Sequence, residues 1–386
     1  MLRLAVAAMV ALSAVASPAV ASAPAGRVAD DAYGALGANF NENIDDLDYG
    51  ELQEARAGWV RGFFPMPAVN QGDPAQHVAI RTLNEASGRG YRTILSLKFP
   101  YNKASFPAPG SAKLAAELAR LDKVLPTVMG KADILVIGNE PFIESLPAER
   151  DQRLNTFYET VARHVIDYRR ERCGADCRTT LYMGALNRLD LPDRRTPAAE
   201  RWMTFVRQTP EIEGVDIHPH VPTVESTQLF LDYILARMRT DQTFLATEFS
   251  LVHHWKKHLK DPVAATFAQK YGFAPGTQVW QVIKAAADEP FSQAKWNDFL
   301  ASSPWFTSRS GFLGNQMRMF RGTGRLAVAT YGFKQDDAMV KDFGPTKDPW
   351  LLNSVYASHT VKPRPSGLSA PSPWLKSFQA LQPSTR

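Results

Sequence analysis

Eight short, apolar runs recur along the chain, and helix-compatible stretches separate most of them. Several runs are apolar almost throughout, which is typical of strands buried on both faces of a parallel sheet. Strands that alternate with helices predict an α/β fold, and eight such units predict a closed (β/α)8 barrel of the TIM type. The runs cover residues 35–40, 58–64, 92–98, 133–138, 179–185, 214–218, 243–248 and 325–331.

An open, doubly wound sheet is the alternative arrangement of the same elements. No G-x-G-x-x-G sequence or P-loop follows any of the predicted strands, so the barrel is favoured and no cofactor is expected. The helices predicted between the strands cover residues 75–87, 112–128, 151–172, 197–208 and 227–239.

The distance between the seventh and eighth runs predicts an insertion. Residues 251–324 must hold the seventh helix and an inserted lobe, within a barrel that spans residues 22–360. Residues 361–386 are rich in Pro and Ser and predict a surface wrap that ends in a short helix near residues 374–381. The hydrophobic content of 45% and the charged content of 22% exclude a disordered, collagen-like or coiled-coil chain.

The N-terminus has the pattern of a secretory signal peptide over residues 1–21. Arg3 precedes an apolar stretch, and small residues favour cleavage before Ser22. An uncleaved membrane anchor is the alternative, but Pro18 and the many Ala and Ser residues disfavour it. We therefore expect a secreted or periplasmic protein with no stable membrane insertion after cleavage.

Only two cysteines are present, four positions apart. In an oxidising compartment Cys173 and Cys177 would form a local disulfide after a helix, and half of a metal site is the alternative. The net charge of +5 is small for 386 residues, and no Lys/Arg run resembles a nucleic-acid footprint. We expect a monomer that does not bind nucleic acid.

Carboxylates follow two of the buried strands. The fourth run continues as ILVIGNEP, which places Asn139 and Glu140 at its end, and the seventh continues as FLATEFS, which places Glu248 at its end. Side chains at the carboxyl ends of barrel strands meet at one mouth. Two carboxyl groups about 5–5.5 Å apart, one of them with a pKa raised by burial and by its charged neighbour, suit retaining glycoside hydrolysis. The alternative is that both are non-catalytic partners of Arg61 or Lys98.

These motifs resemble those of the clan of retaining glycoside hydrolases with (β/α)8 barrels that is often called clan A. That clan carries Asn-Glu, often Asn-Glu-Pro, at the end of strand four and a second Glu at the end of strand seven. The resemblance covers residues 35–331 and implies that Glu140 is the general acid/base and Glu248 the nucleophile. It also implies that Asn139 binds the sugar 2-hydroxyl.

Other strand ends supply candidate binding residues. Arg61 matches the frequent strand-two Arg of the clan, which would keep Glu248 ionised; an ordinary interior ion pair is the alternative. His218 and His220, in VDIHPHVP, resemble the strand-six His or Tyr that orients the nucleophile, although a lone histidine is more often structural. Lys98 and Asn187 follow the third and fifth runs and are candidates to bind sugar hydroxyls or a carboxylate substituent; exposed loop positions are the alternative.

The aromatic residues depart from the clan in one respect. Many members have Trp at the end of strand eight, whereas this chain reads LAVATYGFK, so Tyr331 or Phe333 would form the floor of the −1 sugar subsite. Trp255 is a candidate for stacking on sugar, and bulk for the core of the lobe is the alternative reason for its presence. Three more Trp residues lie in the lobe at positions 280, 296 and 305.

The sequence therefore predicts an exported, retaining glycoside hydrolase that acts on a poly- or oligosaccharide. Basic residues at positions 256, 257, 258 and 260 would attract an acidic glycan, and a charged helix face is the alternative. Two other functions are kept: a non-catalytic carbohydrate-binding barrel, and a metal-dependent hydrolase. In the latter His218, His220 and Glu248, with His253-His254, would supply ligands, although no His follows the first strand as in barrels of the amidohydrolase type.

Overall fold

Eight parallel strands close into a barrel in the computed structural model, which describes residues 34–383. Each strand pairs with the next along the chain, and β8 pairs with β1. This closure confirms the predicted (β/α)8 barrel and excludes the open sheet. The strands are β1 Ala35–Asn39, β2 Trp59–Pro65, β3 Arg92–Lys98, β4 Ile134–Ile137, β5 Thr180–Asn187, β6 Ile212–His218, β7 Thr243–Ala246 and β8 Leu326–Gly332.

Helices surround the barrel and include all five that the sequence predicts. The first eight in chain order are α1 Tyr49–Ala55, α2 Val78–Gly88, α3 Ala112–Val128, α4 Gln152–Tyr168, α5 Pro197–Gln208, α6 Ser226–Leu235, α7 Val252–Lys257 and α8 Ala265–Tyr271. The remaining six are α9 Val279–Asp288, α10 Gln293–Ala301, α11 Pro304–Thr307, α12 Phe312–Gly322, α13 Asp337–Val340 and α14 Trp374–Ala380.

The helix α4 ends earlier than predicted because the chain continues as a wider turn over Arg169–Cys173. A disulfide joins Cys173 to Cys177, with the two Cα atoms 5.2 Å apart, which confirms the predicted pairing. The bond closes the turn between α4 and β5, on the side of the barrel where the strands begin.

Two apolar clusters fill the fold. A small one lies inside the barrel, where Trp59, Ile94, Val136 and Tyr182 pack in its lower layers. A larger one lies between the strands and the helices. Because side chains alternate along a strand, each strand serves both clusters, and the polar residues that point inward collect above the inner one. Polar side chains thus line the barrel mouth, and apolar side chains fill the barrel below them.

The connection from β7 to β8 carries six helices, α7 to α12, as expected for an insertion. The segment after β8 ends in α14, where Trp374 packs on Phe312 of α12 and donates to the Leu352 carbonyl oxygen at 2.7 Å. The division into barrel, lobe and wrap stays a prediction. The proposed signal peptide, residues 1–21, lies outside the described residues, among which no helix has the length and apolarity to cross a membrane.

Candidate active site

The two glutamates meet at the carboxyl ends of β4 and β7. Gly138 ends β4 with φ +102°, a conformation that favours glycine, and its turn places Asn139 and Glu140 at the barrel mouth. Glu248 follows β7 by two residues. A carboxylate oxygen of Glu140 and one of Glu248 lie within 4.8 Å of each other. Their side chains are 19% and 16% exposed, so both can be reached from solvent.

A fully buried guanidinium lies beneath this pair. Arg61, on β2, donates to Glu248 Oε1 at 2.6 Å, to Asn139 Oδ1 at 2.8 Å and to Asn39 Oδ1 at 2.9 Å. Its remaining N–H groups reach Ser96 Oγ at 3.1 and 3.2 Å. The guanidinium of Arg61 therefore holds the carboxylate of Glu248 and the side-chain amide of Asn139 in position at the same time.

Two histidines of β6 and the following loop contact the carboxylates. His218 Nδ1 lies 3.0 Å from Glu140 Oε1 and 3.7 Å from Glu248 Oε1. His220 Nε2 lies 3.4 Å from Glu248 Oε2. The outer nitrogens are held by hydroxyls, because His218 Nε2 is 2.9 Å from Thr247 Oγ1 and His220 Nδ1 is 2.8 Å from Ser250 Oγ. The structure thus brings both histidines into the cluster, with His218 closer to Glu140 than to Glu248.

The sequence led us to expect that one carboxyl group of the pair would have a raised pKa, and the surrounding charges give a different result. Burial raises the pKa of Glu248, but the charges of His218 and Arg61 outweigh it and hold that pKa well below its usual value. Burial also raises the pKa of Glu140, yet its hydrogen bond with His218 and the charge of that imidazole bring the net shift down. Burial lowers the pKa of His218, whereas Glu248, Asp216 and Glu140 raise it to about 10. The raised pKa in this cluster therefore belongs to His218, which contacts Glu140, and not to either of the two glutamates.

A third carboxylate lies beside the pair. Glu144 Oε1 accepts a hydrogen bond from Asn139 Nδ2 at 2.9 Å, and Lys98 Nζ approaches the same oxygen at 3.6 Å. Burial raises the pKa of Glu144, with Lys98 as the main opposing influence. Lys98 also contacts Glu42 Oε1 at 2.5 Å. Lys98 therefore lies at the mouth, as predicted, but it is already paired with carboxylates.

Asn187 ends β5 and pairs in register with His218 at the end of β6. Its side chain is buried, and its Nδ2 group has no hydrogen-bond partner in the protein. A buried donor of this kind favours a ligand or solvent partner at the mouth.

Three aromatic predictions require correction. Tyr331 packs on Phe249, Phe312 and Trp374, and Phe333 also lies in the cluster between barrel and helices, so neither forms a floor to the mouth. Tyr331 on β8 and Phe333, one residue beyond its end, alternate with the inward-facing positions. Trp255 is fully buried and donates to Asn353 Oδ1 at 3.1 Å, so it belongs to the core of the inserted region.

The sequence analysis missed several residues of the site. One of them follows no sequence pattern that could identify it, whereas two others do. Trp350 is partly exposed, and its ring lies 4.8 Å from that of His220, edge to face. It follows β8 by many residues, so no strand-end pattern finds it. Asp216 precedes His218 by two positions on β6, and this period of two places both inside the barrel. Asn39, which ends β1, was detectable in the same way.

Four of these side chains could also hold a metal ion. Glu140, His218, His220 and Glu248 offer ligand atoms that all lie within 4.8 Å of one another. His254, which the metal-dependent alternative included, instead directs Nε2 to the Trp305 carbonyl oxygen at 3.0 Å. The ligand set of that alternative is therefore assembled only in part.

Comparisons with known proteins give similarity in structure alone. No protein-family model matches the chain, and no curated protein sequence does. Xylanase B from Clostridium stercorarium F9 is similar in structure, with a TM-score of 0.52, 11% sequence identity and coverage of 89% of this chain and 96% of that chain.

Two other solved structures align over a similar share of this chain. The Ignisphaera aggregans GH53 catalytic domain has a TM-score of 0.47 and 12% identity over 92% of this chain and 97% of that chain. Saccharomyces cerevisiae Gas2p in complex with laminaripentaose has a TM-score of 0.44 and 10% identity over 89% of this chain and 63% of that chain. At 11% identity the similarity to xylanase B is a similarity of fold alone, in agreement with the closed barrel of the structure.

Proposed function

We propose that the protein is a retaining glycoside hydrolase that cleaves O-glycosidic bonds by double displacement. The observation that carries the proposal is the approach of Glu140 and Glu248 to within 4.8 Å, at the ends of β4 and β7, with both side chains partly exposed. This separation matches the spacing of retaining enzymes and leaves no room for the water that inverting enzymes place between their carboxyl groups.

Glu248 is the nucleophile in this proposal. Arg61 donates to its Oε1 at 2.6 Å and keeps the carboxylate ionised, while Oε2 stays free of any bond shorter than the 3.4 Å contact with His220. Attack of Glu248 on the anomeric carbon forms a glycosyl–enzyme ester. In the second step Glu140 acts as a base and activates a water, which hydrolyses this ester.

Glu140 is the general acid, and His218 supplies its proton. The 3.0 Å contact between His218 Nδ1 and Glu140 Oε1 lets the two groups share one proton, so they titrate as a unit. Departure of the leaving group draws that proton to the glycosidic oxygen, and the proton returns from water in the second step.

The substrate is a poly- or oligosaccharide, and the protein is an exported monomer in this proposal. Trp350 supplies a partly exposed aromatic ring beside His220, which suits stacking on a pyranose face. Lys98, which ends β3 and pairs with Glu42, is a candidate contact for an acidic sugar. Mass spectrometry of protein recovered from outside the cytoplasm should find a chain that begins at Ser22, and light scattering should give the mass of a monomer.

The deciding experiment is hydrolysis of a polysaccharide panel, followed by proton NMR of the first product anomer. Retention of configuration supports the proposal, and inversion contradicts it. Glu248→Gln should abolish turnover of every substrate. Glu140→Gln should abolish turnover of natural glycosides but keep the first step with activated aryl glycosides, because their leaving groups need no proton. A metal-dependent hydrolase would instead lose activity on chelation.

A further inference from the structure

The carboxylate pair and the two histidines have the geometry of a cation site. His218 Nδ1 lies 3.0 Å from Glu140 Oε1 and 3.7 Å from Glu248 Oε1, and His220 Nε2 lies 3.4 Å from Glu248 Oε2. A tetrahedral zinc ion with bonds of about 2.0–2.2 Å has ligand–ligand edges of about 3.3–3.6 Å. The contacts of His218 with Glu140 and of His220 with Glu248 Oε2 are close to that edge length, whereas the longest separation among the four ligand atoms, up to 4.8 Å, would have to shorten as the ion binds.

The ligand types select one class of ion. Two imidazole nitrogens with two carboxylate oxygens suit Zn²⁺ and similar first-row ions, whereas Mg²⁺ and Ca²⁺ require more oxygen ligands. Among residues 34–383, no second group of three or more His, Cys, Asp or Glu side chains converges in this way. One ion per chain is therefore expected.

Both imidazoles are oriented from behind. Thr247 Oγ1 contacts His218 Nε2 at 2.9 Å and itself donates to Asp216, while Ser250 Oγ contacts His220 Nδ1 at 2.8 Å. These contacts leave His218 Nδ1 and His220 Nε2 to face the carboxylates. Histidine ligands usually donate from the outer nitrogen to a carboxylate, a backbone carbonyl or a water, and here the hydroxyls of Thr247 and Ser250 take that place.

The local charge also favours a divalent cation. Glu140, Glu248 and Asp216 bring three negative charges to the cluster, and Arg61 brings one positive charge beside Glu248. The excess of carboxylates favours a divalent cation, which on binding would displace the proton that His218 shares with Glu140. Because Arg61 occupies Glu248 Oε1, the oxygen left for the ion is Oε2, which is the one that faces His220.

We propose that Glu140, His218, His220 and Glu248 bind one zinc-class ion, and that the bound ion occludes the carboxylate pair and inhibits hydrolysis. Binding stands independently of the proposed function, whereas inhibition rests on it. The ion would occupy Glu140 and Glu248 together, so neither could react with a glycoside while it is bound.

Calorimetric titration of the chelator-treated, full-length protein with ZnCl₂ tests the site. One ion per chain is expected, and His220→Gln should weaken zinc binding at least tenfold because one of four ligands is lost. His164→Gln is the matched control, since that histidine pairs with Asp122 on the outer helices and should leave the affinity unchanged. Absence of zinc binding, or equal binding by the His220→Gln protein, would overturn the proposal.

A spectroscopic arm does not depend on the variants folding normally. Co²⁺ added to the wild-type protein should give the intense visible absorption of a four-coordinate site, and Zn²⁺ should displace it at one equivalent. Only the weak absorption of six-coordinate Co²⁺ would contradict the assigned ligand set.

The inhibition arm separates this proposal from the proposed function. Micromolar Zn²⁺ should stop hydrolysis, EDTA should restore it, and the same concentration of Mg²⁺ should have no effect. If the protein binds zinc but hydrolyses no glycoside, the zinc site is confirmed and the proposed function is wrong. Hydrolysis by the zinc-loaded protein would show that the bound ion does not block Glu140 and Glu248.

Discussion

At the scale of single residues, Arg61 connects most of the polar groups at the barrel mouth. Its guanidinium is fully buried and donates to Glu248, Asn139, Asn39 and Ser96. A buried cation is costly unless every N–H group has a partner, and here four strands supply those partners. Stability and the geometry of the proposed nucleophile therefore depend on the same side chain.

Replacing Arg61 by methionine should affect both properties. Glu248 would keep its buried position without its closest cationic partner, so we expect a loss of about 3 kcal/mol in the free energy of unfolding. We also expect a fall in kcat of at least a hundredfold, because the carboxylate would no longer be held at one orientation. Urea unfolding and steady-state kinetics measure the two effects. Arg89→Met, which removes an exposed pair with Glu85, should change neither by much.

Glu144 is expected to act by positioning Asn139. Glu144→Gln keeps an oxygen that can accept from Asn139 Nδ2, whereas Glu144→Leu removes it and leaves a buried amide unpaired. We expect near-normal kcat/KM for the glutamine variant and at least a tenfold loss for the leucine variant. Equal activity of both variants would show that the 2.9 Å hydrogen bond does not matter.

The sequence predicts the members of this cluster better than their pairing. Strand-end position found Glu140, Glu248 and both histidines, because barrel strands all deliver their ends to one mouth, whereas the resemblance to the clan found Arg61, the third residue of β2. It did not show that His218 would contact Glu140 more closely than Glu248, since that depends on the side-chain angles and on the hydroxyl behind the ring.

At the scale of elements, the strand boundaries were predictable to within two residues. Strands buried on both faces appear as apolar runs, and polar residues or glycines end them. Because both faces of each strand are buried, the sequence does not show which residues point into the barrel and which point toward the helices. On β8 both faces are apolar, so nothing in LAVATYGFK shows that Tyr331 faces the helices while Thr330 bonds to Thr247.

Gly138 makes the turn that ends β4, and its replacement should be costly. A Cβ atom there would lie 2.3 Å from the Gly184 carbonyl oxygen, and the φ of +102° strains any other residue. Gly138→Ala should shift Asn139 and Glu140, lower the melting temperature by several degrees and reduce kcat at least tenfold.

A matched glycine provides the control for this substitution. Gly314 lies within α12, and a Cβ atom there would have nothing within 4 Å. Gly314→Ala should leave activity unchanged and raise stability slightly, because alanine favours the helix by up to about 1 kcal/mol. A Gly138→Ala protein with normal activity and melting temperature would show that the strand end tolerates the change.

At the scale of the whole molecule, the segment after β8 joins the inserted helices, the mouth and the base of the barrel. Asn353 accepts from Trp255 in the inserted region, Trp350 lies against His220, and Arg364 pairs with Glu54 at the end of α1. Sequence patterns did not predict these contacts because they are long-range and the segment has little regular structure. The segment that completes the mouth is thus held in place far from it.

The pairing of Glu54 with Arg364 allows a test of this connection through pH. Glu54 accepts from Arg364 Nη1 at 2.8 Å, from Arg364 Nη2 at 2.7 Å and from the Tyr356 hydroxyl at 2.7 Å. The hydrogen bond from Arg364 is the main reason that the pKa of Glu54 lies below its usual value, and burial opposes it. A carboxyl group whose pKa is lowered on folding stabilises the protein above its unfolded pKa, about 4.3 for Glu, and loses that contribution as the pH falls through the folded pKa.

Glu54→Gln should therefore lower the free energy of unfolding by about 1–2 kcal/mol at pH 7, and by progressively less as the pH falls from 5 to 3. Urea unfolding of both proteins at several pH values measures the difference. Glu85→Gln removes an exposed partner of Arg89 and should cost little at any pH, because water and salt screen that pair. If the segment after β8 holds Trp350 in place through this anchor, Glu54→Gln should also raise KM at pH 7 while kcat changes less. A difference in stability that stays constant from pH 7 to pH 3 would show that the charge of Glu54 does not hold the segment.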